Sequence, residues 1–154
     1  MKKLNLLLSL LFSVISLNIS AHDFSAVNSD GKTIYYNITS SNDLTVEVTG
    51  FLKFSGAINI PSTVSYNGET YSVTSIGNFV FEYCIGLTSV TIPNSVTTIG
   101  DAAFRYCGGL TSVTIGNSVT TIGEDAFSGC EGLTSVTIPN SVTSIDDYAF
   151  AGCI

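Results

Sequence analysis

The sequence predicts a β-rich α/β solenoid, and three observations carry that expectation. Residues 89–111, SVTIPNSVTTIGDAAFRYCGGLT, and residues 112–134, SVTIGNSVTTIGEDAFSGCEGLT, agree at 17 of 23 positions, and a third copy starts at Ser135. Cys84, Cys107, Cys130 and Cys153 recur at one fixed interval of 23 residues. Each period also carries the same apolar signature: L-x-x-V-x-I, then V-x-x-I-G, then x-x-A-F-x-x-C. A fixed period of this size marks a solenoid, whose repeats bury their apolar faces only by stacking.

Taken in chain order, residues 1–21 read as a signal peptide. Met1, Lys2 and Lys3 form a positive start, LNLLLSLLFSVISLNI is an apolar run too short to span a bilayer, and Ala21 is the expected last residue removed. The mature chain is therefore expected to be exported, secreted or at the cell surface, without membrane insertion. Loss of Lys2 and Lys3 leaves three basic residues against 12 acidic ones, a net charge of −9. Such a charge opposes phosphate backbones and excludes nucleic acid as a partner.

Residues 22–57 read as an N-terminal β-hairpin cap. KTIYYNIT and LTVEVTG, separated by SSND, have the alternation of two strands. The array is expected over 58–154. In its first coil Ile60-Pro61 matches Ile92-Pro93, and Val73 to Ile76 matches Val96 to Ile99, with nine extra residues between. Asn67-Gly68 within that insertion predicts a protruding hairpin.

In the two full repeats Leu87, Val90 and Ile92 alternate as a half-buried strand does, and a second short extended piece surrounds Val96 and Ile99. DAAFRYC predicts one or two helical turns capped by Asp101. Columns of Phe81, Phe104, Phe127 and Phe150, and of the four cysteines, are expected inside the stack. Parallel thiols in a column rarely reach disulfide geometry, so free buried cysteines are expected. The third copy, with its strand SVTIP, stops inside the repeat at Ile154 without a polar capping pattern. It reads as part of a longer array, and the alternative is self-association through an uncapped last coil.

The run LTSVTIPNSVTTIGDAAFRYC resembles the BspA-like branch of the leucine-rich-repeat proteins, over residues 58–154. DGKTIYYNIT…LTVEVTG is also similar to the leader that often precedes such arrays. The resemblance implies a right-handed leucine-rich-repeat superhelix on exported or surface proteins of host-associated microbes. It also implies adhesion to, or interaction with, host or neighbouring-cell proteins. Gly116 stands where Pro93 and Pro139 do, and Asp146 replaces the glycine of V-x-x-I-G, departures that touch turns more than core. The nearest alternative, a parallel β-helix, lacks a helical turn at DAAF.

No catalytic constellation emerges, and the protein is expected not to be an enzyme. The single histidine, His22, adjoins the cleavage point, so no Ser or Cys of the array has an obvious base. No cofactor or metal is expected. Asp101, Glu124 and Asp147 share one repeat position, the arrangement of a cation column, but capping of their own helical turns explains them better.

Two surfaces are candidates for a protein partner. Ser89, Thr91, Ser112, Thr114, Ser135 and Thr137 form a two-wide hydroxyl ladder on the strand face, which also suits a merely solvated strand. Tyr83, Arg105 and Tyr106 occupy a pair of positions where the repeats disagree, and supply the residue types that dominate binding hot spots. A structural building block made by end-to-end stacking of solenoids is the competing function.

Overall fold

The structure, a computed structural model, describes residues 22–154, so the expected signal segment at 1–21 lies outside the described residues. Among the described residues eleven strands form two sheets: β1 (Phe24–Val27), β2 (Thr33–Ser40), β3 (Thr45–Thr49), β4 (Gly56–Asn59), β5 (Thr63–Tyr66), β6 (Glu69–Ile76), β7 (Leu87–Thr91), β8 (Thr98–Ile99), β9 (Ser112–Thr114), β10 (Thr121–Ile122) and β11 (Ser144–Ile145). One sheet runs β1-β2-β3-β6-β8-β10-β11, with β5 paired to β6, and the other runs β4-β7-β9.

The expected hairpin is present. β2 and β3 pair antiparallel with Tyr36 opposite Val48 and Ile38 opposite Val46. Their alternation places Ile34, Tyr36, Val46 and Val48 in the core. β3 then runs parallel to β6, which carries the sheet into the array. The second hairpin, β5–β6, turns through Asn67 (φ 50°) and Gly68 (φ 85°), the left-handed pair a two-residue turn requires. Ile58 pairs with Val90 but Ile76 with Ile99, so the nine extra residues are absorbed by this hairpin. From there the register is regular: Val90 faces Val113, and Ile99 and Ile145 flank Ile122. Residues 135–139, expected as a strand, are not one, and residues 134–138 share no backbone hydrogen bond with β9.

The expected helical turns are a correction: the described residues contain no helix. Phe79, Ala102, Asp125 and Tyr148 all have φ between 51° and 61°, which ends a right-handed helix at its first turn. The segment is instead a run of tight turns, with Ala103, Arg105 and Cys107 N–H donating three residues back. The alternate N–H groups leave the coil. Ala102, Phe104 and Tyr106 donate to the carbonyls of Glu124, Ala126 and Ser128 in the next coil, at 2.7–2.8 Å. Inter-coil pairing has taken the hydrogen bonds a helix would have kept for itself, and the α/β class becomes a fold of strands and turns.

Asp101 likewise does not cap its own turn. Asn78 Oδ1 accepts from Asp101 N at 2.8 Å, and Asp101 Oδ1 accepts from Glu124 N at 3.1 Å, so the column links one coil to the next.

Inside, Phe81, Phe104, Phe127 and Phe150 stack with centroids 4.9, 5.0 and 5.2 Å apart and planes within 6°. Beside them the four cysteines are free. The Cys107, Cys130 and Cys153 thiols donate to the carbonyls of Phe81, Phe104 and Phe127 at 3.1–3.4 Å, and Cys84 to Leu52 at 3.0 Å. Burial pushes the Cys84 thiol up, and the Cys107 thiol alongside it, with burial, pushes up that of Cys130. The hydrogen bond from Cys130 lowers the Cys107 thiol, so it is burial that keeps reagents from Cys84, Cys107 and Cys130 while the chain is folded. Cys153, only half-buried, is expected to label first in the native chain. Cys84, Cys107 and Cys130 should label only after denaturation, without reductant; counting modified thiols by mass spectrometry checks this.

β1 was not anticipated. It pairs antiparallel with β2, Phe24 opposite Tyr36, and the Phe24 ring stacks on Tyr66 at 4.2 Å. The loop after it closes an exposed edge. β4 is the outer strand of its sheet, and its Asn59 N–H donates to Asp30 Oδ2 at 2.6 Å while Asn28 Nδ2 donates to Asn59 O at 2.9 Å. Side chains here satisfy backbone groups that would otherwise template pairing with another chain.

Chiefly through the Asn59 N–H, these bonds hold the Asp30 carboxyl below its ordinary 3.8. A carboxyl with a lower pKa folded than unfolded adds stability that is complete above the unfolded value. That stability is lost as pH falls through the folded one. The parent's advantage over Asp30→Ala is therefore expected to be constant above 3.8 and to shrink below it. Urea unfolding at pH values on either side of 3.8 reads this directly.

Candidate functional site

On the strand face, β7 and β9 align Ser89 with Ser112 and Thr91 with Thr114. Ser112, Thr114, Ser135 and Thr137 are exposed and Ser89 is half-buried, but no ring or charge lies among these six residues. A separate threonine column, Thr97, Thr120 and Thr143, spends its hydroxyls on the carbonyl of the preceding coil at 3.1–3.2 Å. Regular hydroxyls of this kind hold coils together and offer little that distinguishes one partner from another.

The turn face is different. Its backbone reaches the left-handed region twice per coil, and the second position is occupied by Tyr83 (φ 56°), Tyr106 (φ 58°), Gly129 (φ 70°) and Gly152 (φ 72°). Glycine adopts this conformation freely, whereas a residue with a Cβ pays about 1 kcal/mol or more. The first two coils nevertheless place tyrosines there, and both stay exposed, at 52% and 43%. Their rings stack 4.8 Å apart at 28°. The Tyr106 ring also lies over Gly129, where a Cβ would stand 2.4 Å from its edge. The tyrosine pair is thus fixed before anything binds.

Cations bracket the pair. Lys53 Nζ sits 4.1 Å above the exposed Phe51 ring and 5.8 Å from the Tyr83 ring, and donates to Glu82 O at 2.6 Å. The Arg105 guanidinium lies 5.5 Å from the Tyr106 ring and 5.7 Å from the exposed Phe79 ring. Its Nε donates to Glu82 Oε1 at 2.7 Å, its Nη2 pairs with the same oxygen, and Nη1 is 3.6 Å from Asp125 Oδ2. Hydrogen bonding to Glu82 raises the guanidinium pKa further, so this charge is permanent and already partnered. Phe51, Lys53, Tyr83, Tyr106, Arg105 and Phe79 form one continuous aromatic and cationic ledge.

Tyr83, Arg105 and Tyr106 come together as their shared repeat positions implied. Phe51, Lys53 and Phe79 escaped sequence reasoning. Phe79 had a signal, since its position varies as Phe, Ala, Asp and Tyr through the coils. Phe51 and Lys53 precede the array and carry no repeat register. No arrangement of three or more His, Cys, Asp or Glu that would hold a metal ion occurs among the described residues.

A family model described as BspA type Leucine rich repeat region matches residues 54–154 in six copies. A leucine-rich repeat protein from Bacteroides ovatus is 39% identical, with a TM-score of 0.69 over 78% of this chain and 32% of that one. Another from Bacteroides capillosus is 36% identical, with a TM-score of 0.67 over 73% of this chain and 83% of that one. A leucine rich cell surface protein from Faecalibacterium prausnitzii is 34% identical, with a TM-score of 0.66 over 83% of this chain and 34% of that one. The chain thus spans about a third of the length of the B. ovatus and F. prausnitzii proteins. A comparison with curated proteins finds no match.

Proposed function

Because the chain belongs to the BspA-type leucine-rich-repeat family, we propose that it is a non-enzymatic binding module, exported to the cell surface or beyond, that grips a protein partner with the ledge around Tyr83 and Tyr106. The observation that carries this reading is the pair of exposed tyrosines held at positive φ where the next two coils have glycine. Backbone strain retained under exposed side chains points to selection for something other than stability. Rigid aromatic rings beside an arginine are also what interface hot spots are made of.

A surface location accords with the start of the sequence and with the F. prausnitzii relative, itself described as a cell surface protein. Residues 22–57 would serve as the cap of a right-handed array, and host or neighbouring-cell proteins are the expected partners. The hydroxyl ladder of Ser89, Thr91, Ser112, Thr114, Ser135 and Thr137 is the lesser contact surface, and Arg105 contributes mainly by fixing the rings.

The test is saturable binding of the 22–154 chain to immobilised host extracellular-matrix proteins. Tyr83→Gly/Tyr106→Gly is expected to lose binding, and Thr91→Ala/Thr114→Ala to keep it. The reverse pattern would move the site to the strand face. Saturable binding to none of them, with assembly that grows with concentration, would favour the building-block role.

A further inference from the structure

The chemistry of the partner can be narrowed by asking which charge on the ledge is still unspent. Glu82 and Asp125 neutralise Arg105. Lys32 lies half-buried with its Nζ on Ser55 O and 5.8 Å from the Phe54 ring. Lys53 is exposed, and among the described residues it makes no ion pair. Its ammonium is held by one carbonyl and two aromatic faces, which leaves N–H donors directed at solvent beside exposed apolar rings.

The rest of the molecule sharpens the contrast. Residues 107–154 contain no Lys or Arg and five acids, Glu124, Asp125, Glu131, Asp146 and Asp147. An acidic segment is repelled along that stretch and meets at the ledge an exposed cation without an ion pair, framed by Phe51 and Tyr83, whereas Lys32, also without an ion pair, is the more buried of the two.

We propose that the ledge recognises an acidic, apolar segment of a protein partner, with a carboxylate of that segment pairing with Lys53 while its apolar neighbours cover Phe51, Tyr83 and Tyr106. The inference rests on the ledge being the binding surface. Covering the rings excludes water from the ion pair, which strengthens it well beyond an exposed surface pair. Electrostatic complementarity of this kind sets partner choice more than raw affinity.

The experiment uses the 22–154 chain and three synthetic peptides in which leucine alternates with Glu, Gln or Lys, together with a polyuronate oligosaccharide. The Glu peptide is expected to bind in a salt-sensitive way, with the Gln peptide about 10-fold weaker and the Lys peptide not binding. Lys53→Gln should weaken the Glu peptide by about 10-fold, and Lys53→Glu should turn the preference toward the Lys peptide. Equal binding of the Glu and Gln peptides, an unchanged preference in Lys53→Glu, or binding of the polyuronate with none of the Glu peptide would each overturn the inference. The two readings fail differently. Charge-insensitive peptide binding that still needs Tyr83 and Tyr106 sinks only the role of Lys53, whereas binding that survives Tyr83→Gly/Tyr106→Gly sinks the ledge itself.

Discussion

Phe104→Ala is expected to destabilise the chain by about 3–5 kcal/mol, the range for emptying a buried phenylalanine site. Phe104 is fully buried and stacked on Phe81 and Phe127, 4.9 and 5.0 Å away, with planes at 6° and 4°. Its backbone is bound twice to the following coil, donating to Ala126 O and accepting the Cys130 thiol. Truncation therefore removes the transfer energy of one ring, two ring–ring contacts and the support of the thiol column. Folded domains of this size hold only about 5–15 kcal/mol in total, so such a loss consumes much of it. Phe150→Ala is the control. Phe150 is half-buried, with one stacked neighbour, and its loss should cost well under half as much. Denaturant midpoints with unchanged slopes would separate the two.

Gly109→Ala is the second large effect, and it arises from crowding rather than a cavity. A Cβ on Gly109 would stand 2.4 Å from Ile85 O and 3.3 Å from Leu87 O. Both are backbone carbonyls of the preceding coil, so neither can rotate aside, and the coils must part. The cost should reach at least the upper end of about 1–3 kcal/mol typical of overpacking. Gly108, the neighbouring residue, has nothing within 4 Å of such a Cβ, and Gly108→Ala should leave the unfolding midpoint almost unchanged. Equal effects at the two positions would mean that close approach of coils is not what Gly109 provides.

What the sequence disclosed follows from which interactions repeat. The Phe and Cys columns were legible because their period places equivalent side chains one above another, as Phe81 on Phe104 shows. Asn67-Gly68 was legible because the two-residue turn is a local demand on φ. The turn face was not. Ala102 and Tyr106 are ordinary residues in a stretch that tolerates helix, and their left-handed backbone is imposed by hydrogen bonds to Glu124 and Ser128 in the next coil. Local propensity carries no trace of a partner that far along the chain. The ledge was half legible for the same reason. Tyr83 and Tyr106 share a repeat position, whereas Lys53 reaches Tyr83 from a segment outside the repeat. The lock of Asp30 on Asn59 joins two such unrepeated loops, and nothing in their spacing announced it.

Whether Tyr83 and Tyr106 are kept for binding or for folding is decided most directly by unfolding Tyr83→Gly/Tyr106→Gly in denaturant beside the parent chain, with no ligand present. Relief of two strained positions, each about 1 kcal/mol, should offset the lost ring stack and cation contacts, each about 0.5–1.5 kcal/mol. The expected result is a double variant within about 1 kcal/mol of the parent in stability that no longer binds. A variant destabilised by about 3 kcal/mol or more would contradict it, because the tyrosines would then be holding the coils together rather than waiting for a partner.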